Sequence, residues 1–312
     1  MVEVVCLGIL VADVVAKPVE AMPDRGRLLL VDQMALHTGG CAGNTAIGLS
    51  RLGIRAGVVG KVGRDGFGDF YVTRLRKEGV DAEGVVRDDA AATSATMVLV
   101  HADGERSFIH YLGANATLTD GDIRMEWLQG AKVLHVAGAL LMPEFDGEPM
   151  AGVLRQAREM GLTTALDTCW DSTGRWMETL APCLPHVDVF LPSIEEARML
   201  TGLDEPEAVA EALVDRGVKT VALKMGERGC HLRTADGQWT LPAYRVDVVD
   251  ATGAGDAYAA GFLAGLVKGW DPEQTGRFAN AAGALCSLAI GTTAGIRGLD
   301  ETLAFMDQTP TR

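Results

Sequence analysis

Residues 249–266, VDATGAGDAYAAGFLAGL, set a carboxylate, Asp256, directly after Gly253, Ala254 and Gly255. Upstream, YRVDVVD (244–250) reads as a buried strand. Downstream, Ala257, Ala260, Gly261 and Ala264 recur at helical spacing, so Asp256 should stand at or near a helix start. The unpaired N–H groups and positive dipole end of a helix start attract anions, and glycines let a ligand approach the backbone closely. The stretch therefore predicts an anion site with a carboxylate beside it, although a plain helix cap and turn would use the same residue types. Two other phosphate motifs are disfavoured by spacing. A dinucleotide G-x-G-x-x-G needs glycine where Tyr258 stands, and the Gly-Lys-Ser/Thr of a P-loop occurs nowhere.

A second glycine-rich segment, HTGGCAGNTAIGLSRLG (37–53), pairs Gly39 with Gly40, leaving room for a ligand against the backbone. Asn44 follows, with an amide that both donates and accepts, as a sugar hydroxyl requires. A strand-to-helix turn capped by Asn44 is the structural alternative.

What must position these segments is an alternation of elements. The apolar runs EVVCLGIL, AGVVGKV, KVLHVAGAL, TTALDT, VDVFLP and TVALKMG each adjoin a helical pattern. That predicts an α/β fold with a central, mostly parallel sheet and helices on both faces. Ligands of such sheets bind beyond the carboxyl ends of the strands, where Asp13, Gly63, Gly138, Asp167, Ser193, Gly226 and Asp250 fall on one rim. Two stretches break the alternation. RLLLVDQMALHTGG and TSATMVLVHADGERSFIHYLG look extended, the second a hairpin turning at Asp103-Gly104, and together they predict a small antiparallel flap. Flaps that close over a rim exclude water from chemistry.

The chain of 312 residues is long enough for one large α/β domain, and no Pro/Ser-rich linker divides it. A net charge of −14 argues against a nucleic-acid or anionic-membrane partner, so an anionic ligand must be met by local donors. Cysteines 6, 41, 169, 183, 230 and 286 form no C-x-x-C pair and predict buried free thiols in a reducing cytoplasm. The opening MVEVVCLGILVADVVA lacks a basic start and is broken by Asp13, which suits a first buried strand better than a signal peptide or a membrane span.

In their order, these motifs resemble the ribokinase-like (PfkB) carbohydrate and nucleoside kinases over nearly the whole chain. GGCAGNTAIGLSRLG matches the amino-terminal signature and DATGAGDAYAAGF the carboxy-terminal one, with GRDGFG, DGER, GANATLT and KMGERG between them. The resemblance implies one ribokinase-like domain over 1–312, with a β lid made from inserted segments at about 13–38 and 93–112. It implies ATP-dependent phosphorylation of a hydroxyl on a small sugar or sugar acid, with Asp256 as the general base. The backbone N–H groups of Gly253, Ala254 and Gly255 then hold the transferring group, since phosphoryl transfer needs positioning more than covalent help. Asp13, at the end of the first strand, would clamp the sugar together with Gly40 and Asn44, beside Gly39. Lys224, Gly226 and Gly229 of KMGERG and Asn280 of FANAAGALC would adjoin the nucleotide. For the glycines and Asn280 plain packing is the alternative, and for Lys224 a solvated charge. Glu196 of PSIEEA would reach Mg²⁺ through water, and Asp250 would help hold a monovalent cation such as K⁺.

The chain departs from the family pattern where Ser193 and Cys169 replace common asparagines, where Val11-Ala12-Asp13 lacks one, and where Cys41 stands in place of a lysine found in some members. Nothing there argues for a ribose-type or phosphorylated substrate. A nucleoside kinase of the same fold and a catalytically idle sugar or nucleotide sensor are the competing readings, with a dehydrogenase third, weakened by Tyr258. The resemblance also implies a homodimer paired through the lids.

Overall fold

The computed structural model describes residues 1–102 and 105–312. Its strands are β1 Val4–Gly8, β2 Val11–Lys17, β3 Gln33–Gly39, β4 Ala56–Gly63, β5 Asp81–Asp88, β6 Ala95–Val100, β7 Arg106–Tyr111, β8 Val133–Ala139, β9 Thr163–Thr168, β10 Val189–Phe190, β11 Thr220–Lys224, β12 Cys230–Thr234 and β13 Gly237–Leu241. Its helices are α1 Cys41–Arg51, α2 Gly66–Lys77, α3 Glu148–Glu159, α4 Trp176–Leu180, α5 Ile194–Thr201, α6 Pro206–Val214, α7 Ala254–Lys268, α8 Pro272–Cys286 and α9 Leu299–Gln308.

The main sheet has nine strands in the order β13-β12-β11-β10-β9-β8-β1-β4-β5. It is parallel from β11 through β5 and ends in the antiparallel pairs β11–β12 and β12–β13. The continuous apolar runs of the sequence become its strands because both faces are covered. In β1, Val4 and Cys6 enter the core shared with α1, α2, α7 and α8, while Val5 and Leu7 enter the core shared with α3 to α6.

Small residues bring the site-bearing helices close together. A Cβ added to Gly48 of α1 would meet the Cβ of Ala260 on α7 at 2.8 Å, and one on Gly261 would meet the Cα of Ala279 on α8 at 2.9 Å. The alanines and glycines that follow Asp256 thus serve as a packing surface, and α1 and α7 start side by side at the rim.

The smaller sheet has the order β3-β2-β6-β7. It consists of two antiparallel pairs, β2–β3 and β6–β7, joined through a parallel β2–β6 pair. Asp13 belongs to this sheet, opposite His37, and not to the end of the first strand as the sequence suggested. The expected turn at Asp103-Gly104 lies outside the described residues. In RLLLVDQMALHTGG only the part from Gln33 is strand, and Leu28 and Leu30 are 84% and 82% exposed.

YRVDVVD is not a buried strand. Beyond an isolated bridge from Tyr244 to Thr311 it joins no ladder, and Val248 and Val249 are exposed. The edge position is already filled by β13, and the N–H groups of Val249 and Asp250 bond to Ser287 O at 2.8 and 3.0 Å. Among the described residues no helix is long and apolar enough to cross a membrane.

Candidate active site

Helix α7 starts beyond Gly253, whose φ of 80° is left-handed, and a Cβ there would lie 2.1 Å from Thr292 O. No side chain caps this helix. Asp256 sits in its first turn and is therefore not the cap. Its carboxylate faces α1 instead, where Asn44 Nδ2 donates to Oδ2 at 2.8 Å. Asn44 is held in turn by Thr292, whose Oγ1 lies 3.1 Å from Asn44 Oδ1 and also donates to Thr38 O at 2.7 Å. Burial raises the pKa of Asp256, while the Asn44 hydrogen bond and the Lys224 charge pull it down.

Lys224, the last residue of β11, is a countercharge with 14% of its side chain exposed and not a solvated one. Its Nζ donates to both carboxylate oxygens of Asp167, at 2.8 and 2.7 Å, where β9 nears its end. A Cβ on Gly255 would come within 3.5 Å of the same Nζ, so the ammonium stands at the anion loop. Burial works against the charged amine, but the Asp167 and Glu196 carboxylates outweigh it and keep Lys224 protonated. Burial pushes Asp167 up to about 7 in spite of that neighbour.

Glu196 has a structural duty. Its Oε2 accepts from Ser193 N and from Thr168 Oγ1, both at 3.0 Å, and Ser193 Oγ accepts from Glu196 N at 3.2 Å. This is a capping box on α5, for which serine serves as well as asparagine. Among the described residues no three His, Cys, Asp or Glu side chains are grouped to hold a metal ion.

Lys224, Gly226, Gly229, Gly255 and Asn280 line one cavity of about 210 Å³. Within it they differ. The space where Gly226 would carry a Cβ is open, whereas a Cβ on Gly229 would sit 2.0 Å from Leu241 O. Asn280 spends its amide on Leu241 O and Pro242 O, at 3.2 and 3.1 Å, and so ties the wall together. Val246 and Val248, from the segment misread as a strand, line the same cavity. Sequence reasoning missed them; the available signal was an apolar run directly before the glycine loop.

On the other side of Asp256, burial pushes Asp13 up to about 7 against a hydrogen bond from Thr96. A Cβ on Gly39 would fall 2.0 Å from Asp13 Oδ2, so the space at Gly39 belongs to Asp13 and not to a ligand. Gly40, at φ 82°, packs against Ile9 O. The departures Cys41 and Cys169 meet here with their sulfurs 3.5 Å apart, and all six cysteines are free thiols.

Asp250 differs from expectation. Oδ1 accepts from Thr252 N and Oδ2 from Gly291 N, each at 2.7 Å, and the Arg106 guanidinium approaches Oδ1 at 2.5 Å. Nitrogen donors thus fill the position where a monovalent cation was anticipated.

The family model of pfkB family carbohydrate kinases matches residues 1–297. The 2-dehydro-3-deoxygluconokinase of Bacillus subtilis is 31% identical over 293 residues, 90% of each chain. Fructokinase-1 of Oryza sativa subsp. japonica is 32% identical over 286 residues, 86% of this chain and 88% of the relative. Among solved structures, the fructokinase from Xylella fastidiosa with bound ATP superposes with a TM-score of 0.85 at 25% identity, covering 98% of each chain. With these likenesses spanning the glycine loop, the charge cluster and the smaller sheet alike, the chain belongs to the pfkB family of carbohydrate kinases and is a sugar kinase.

Proposed function

We propose that this sugar kinase transfers the γ-phosphoryl group of ATP to a hydroxyl of a small sugar or sugar acid, with Asp256 as the general base. The observation that carries the reading is the Asn44–Asp256 hydrogen bond of 2.8 Å, made where α1 and α7 start together, next to the N–H groups of Gly253 and Gly255, whereas the expected third donor, Ala254 N, is turned to Ala251 O at 3.2 Å. Asp256 Oδ receives the hydroxyl proton as the oxygen attacks phosphorus, and ADP leaves. Charge on the transferring group is met by the α7 start and by Lys224.

ATP fits the cavity that runs from Lys224 to Asn280, with its phosphates toward Gly255. Mg²⁺, when bound, neutralises charge on the phosphates. Asp167 is engaged by Lys224 and Glu196 by its capping box, so the ion would be held mainly by the phosphates, with Glu196 reaching it through water. Asp13 and Asn44 orient the acceptor.

Residues 1–312 act as one domain on which the smaller sheet serves as a lid. Met97, Ile109 and Tyr111, which the β6–β7 register places on one face of that sheet, leave an apolar face exposed. A second copy of the chain covers it in a homodimer paired lid to lid. The assembly works in the cytoplasm.

The test is ADP release from ATP and Mg²⁺ with D-fructose and 2-dehydro-3-deoxy-D-gluconate, the acceptors in the names of the relatives, together with D-ribose and nucleosides for the competing readings. Turnover is expected with one of the sugars or the sugar acid. ADP release with nucleosides alone would overturn the acceptor class, and binding of ATP and sugar without release would make the protein a sensor.

A further inference from the structure

Asp250 is buried, with 4% of its surface exposed, yet it is ionised: burial alone would raise its pKa, and Arg106 with the N–H groups of Gly291 and Thr252 brings it below the usual carboxylate range. A buried carboxylate needs a countercharge. Arg106 supplies one from far away in sequence, since it is the first residue of β7 in the smaller sheet. The same guanidinium also donates to Thr252 Oγ1, and Thr252 leads directly into Gly253. Arg106 therefore touches both the acid and the entry to the anion loop. The surroundings of the carboxylate do not fit a free cation, because its oxygens are already met by donors: the Arg106 guanidinium, the N–H groups of Thr252 and Gly291, and the Thr252 hydroxyl.

We propose that Arg106 is a tethered cation that neutralises Asp250 behind the anion loop, so that seating the smaller sheet on the rim and readying the loop for phosphate are one event. Without that charge, Asp250 would place an uncompensated negative charge behind Thr252 and Gly253, where it would repel the polyphosphate. Arg106 is a positioning residue in this account, since it acts through Asp250 and Thr252. A free monovalent cation then has no task at this position.

The inference rests on residues 253–255 being the anion site, so the test reads nucleotide binding and needs no knowledge of the acceptor. Calorimetric titration of the full chain with a non-hydrolysable ATP analogue and Mg²⁺ would compare KCl with tetramethylammonium chloride at equal ionic strength. The wild type should bind equally well in both salts. Arg106→Gln should bind about tenfold more weakly, Arg106→Lys close to the wild type, and Arg106→Gln combined with Asp250→Asn should regain most of the loss. A purely structural ion pair would show its loss and recovery in thermal unfolding alone and leave the nucleotide affinity of the folded variants unchanged. Several-fold tighter binding by the wild type in KCl, undiminished binding by Arg106→Gln, or a double variant no better than the single one would each overturn the inference. A wild type that binds no ATP analogue at all would instead overturn the kinase mechanism proposed above.

Discussion

Replacing Asn44 by alanine should move the pH dependence of catalysis in one direction. Asn44 is 2% exposed, and its Nδ2 donates to Asp256 Oδ2 at 2.8 Å, a bond that favours the ionised carboxylate. A hydrogen bond to a charged group contributes about 1.5–3 kcal/mol. At about 1.4 kcal/mol per pKa unit, its loss should raise the pKa of Asp256 by roughly 1–2 units. A base must be ionised to act, so the acidic limb of kcat/KM should shift to higher pH by the same roughly 1–2 units. Well above the new limb the variant should recover much of its rate. The neighbourhood should survive, because Thr292 Oγ1 keeps its bond to Thr38 O at 2.7 Å.

Stability should follow with a definite sign. The folded pKa of Asp256 already lies above the ordinary value of 3.8, so the folded chain holds this proton more tightly than the unfolded chain does. Its contribution to stability is complete below 3.8 and is lost as pH rises through the folded value. Asn44→Ala should therefore cost more stability at about pH 8 than at about pH 5. Coupled ADP assays and thermal unfolding across the pH range would read both effects. A uniform loss of rate with an unmoved acidic limb would refute the reasoning and leave Asn44 as an acceptor contact alone.

Asp13→Ala should weaken the acceptor by about 1–3 kcal/mol while sparing ATP, measured as separate KM values; equal losses for both ligands would contradict the division of the site. Gly253→Ala forces a side chain into a left-handed position 2.1 Å from Thr292 O. It should cost about 1–2 kcal/mol in backbone strain and impair ATP binding, as calorimetry would show. Light scattering on dilute protein should give a dimer, and hydrogen exchange in β6 and β7 should slow when the acceptor binds. A monomer whose two strands exchange at the same rate with and without acceptor would contradict pairing through the lids.

The main sheet was legible because strands covered on both faces must be apolar along their whole length, as in KVLHVAGAL and TTALDT. The start of α7 was legible because few residues other than glycine accept the backbone that precedes it. The same logic failed at YRVDVVD, since valines that line a cavity read like valines that fill a core. Partners distant in sequence were out of reach. Lys224 and Asp167 lie 57 residues apart, Cys41 and Cys169 lie 128 apart, and no periodicity links them. The duty of Gly39 was hidden for a related reason: only the β2–β3 pairing reveals that Asp13 fills the space beside it.

Single-turnover measurement on Asp256→Asn tests the central claim most directly, since the change keeps the shape of the side chain and removes its basicity. The account predicts ATP-analogue and sugar affinities within a few-fold of the wild type and a rate of phosphoryl transfer lower by roughly 10²–10⁴. A variant that transfers phosphate at a near-native rate would contradict it.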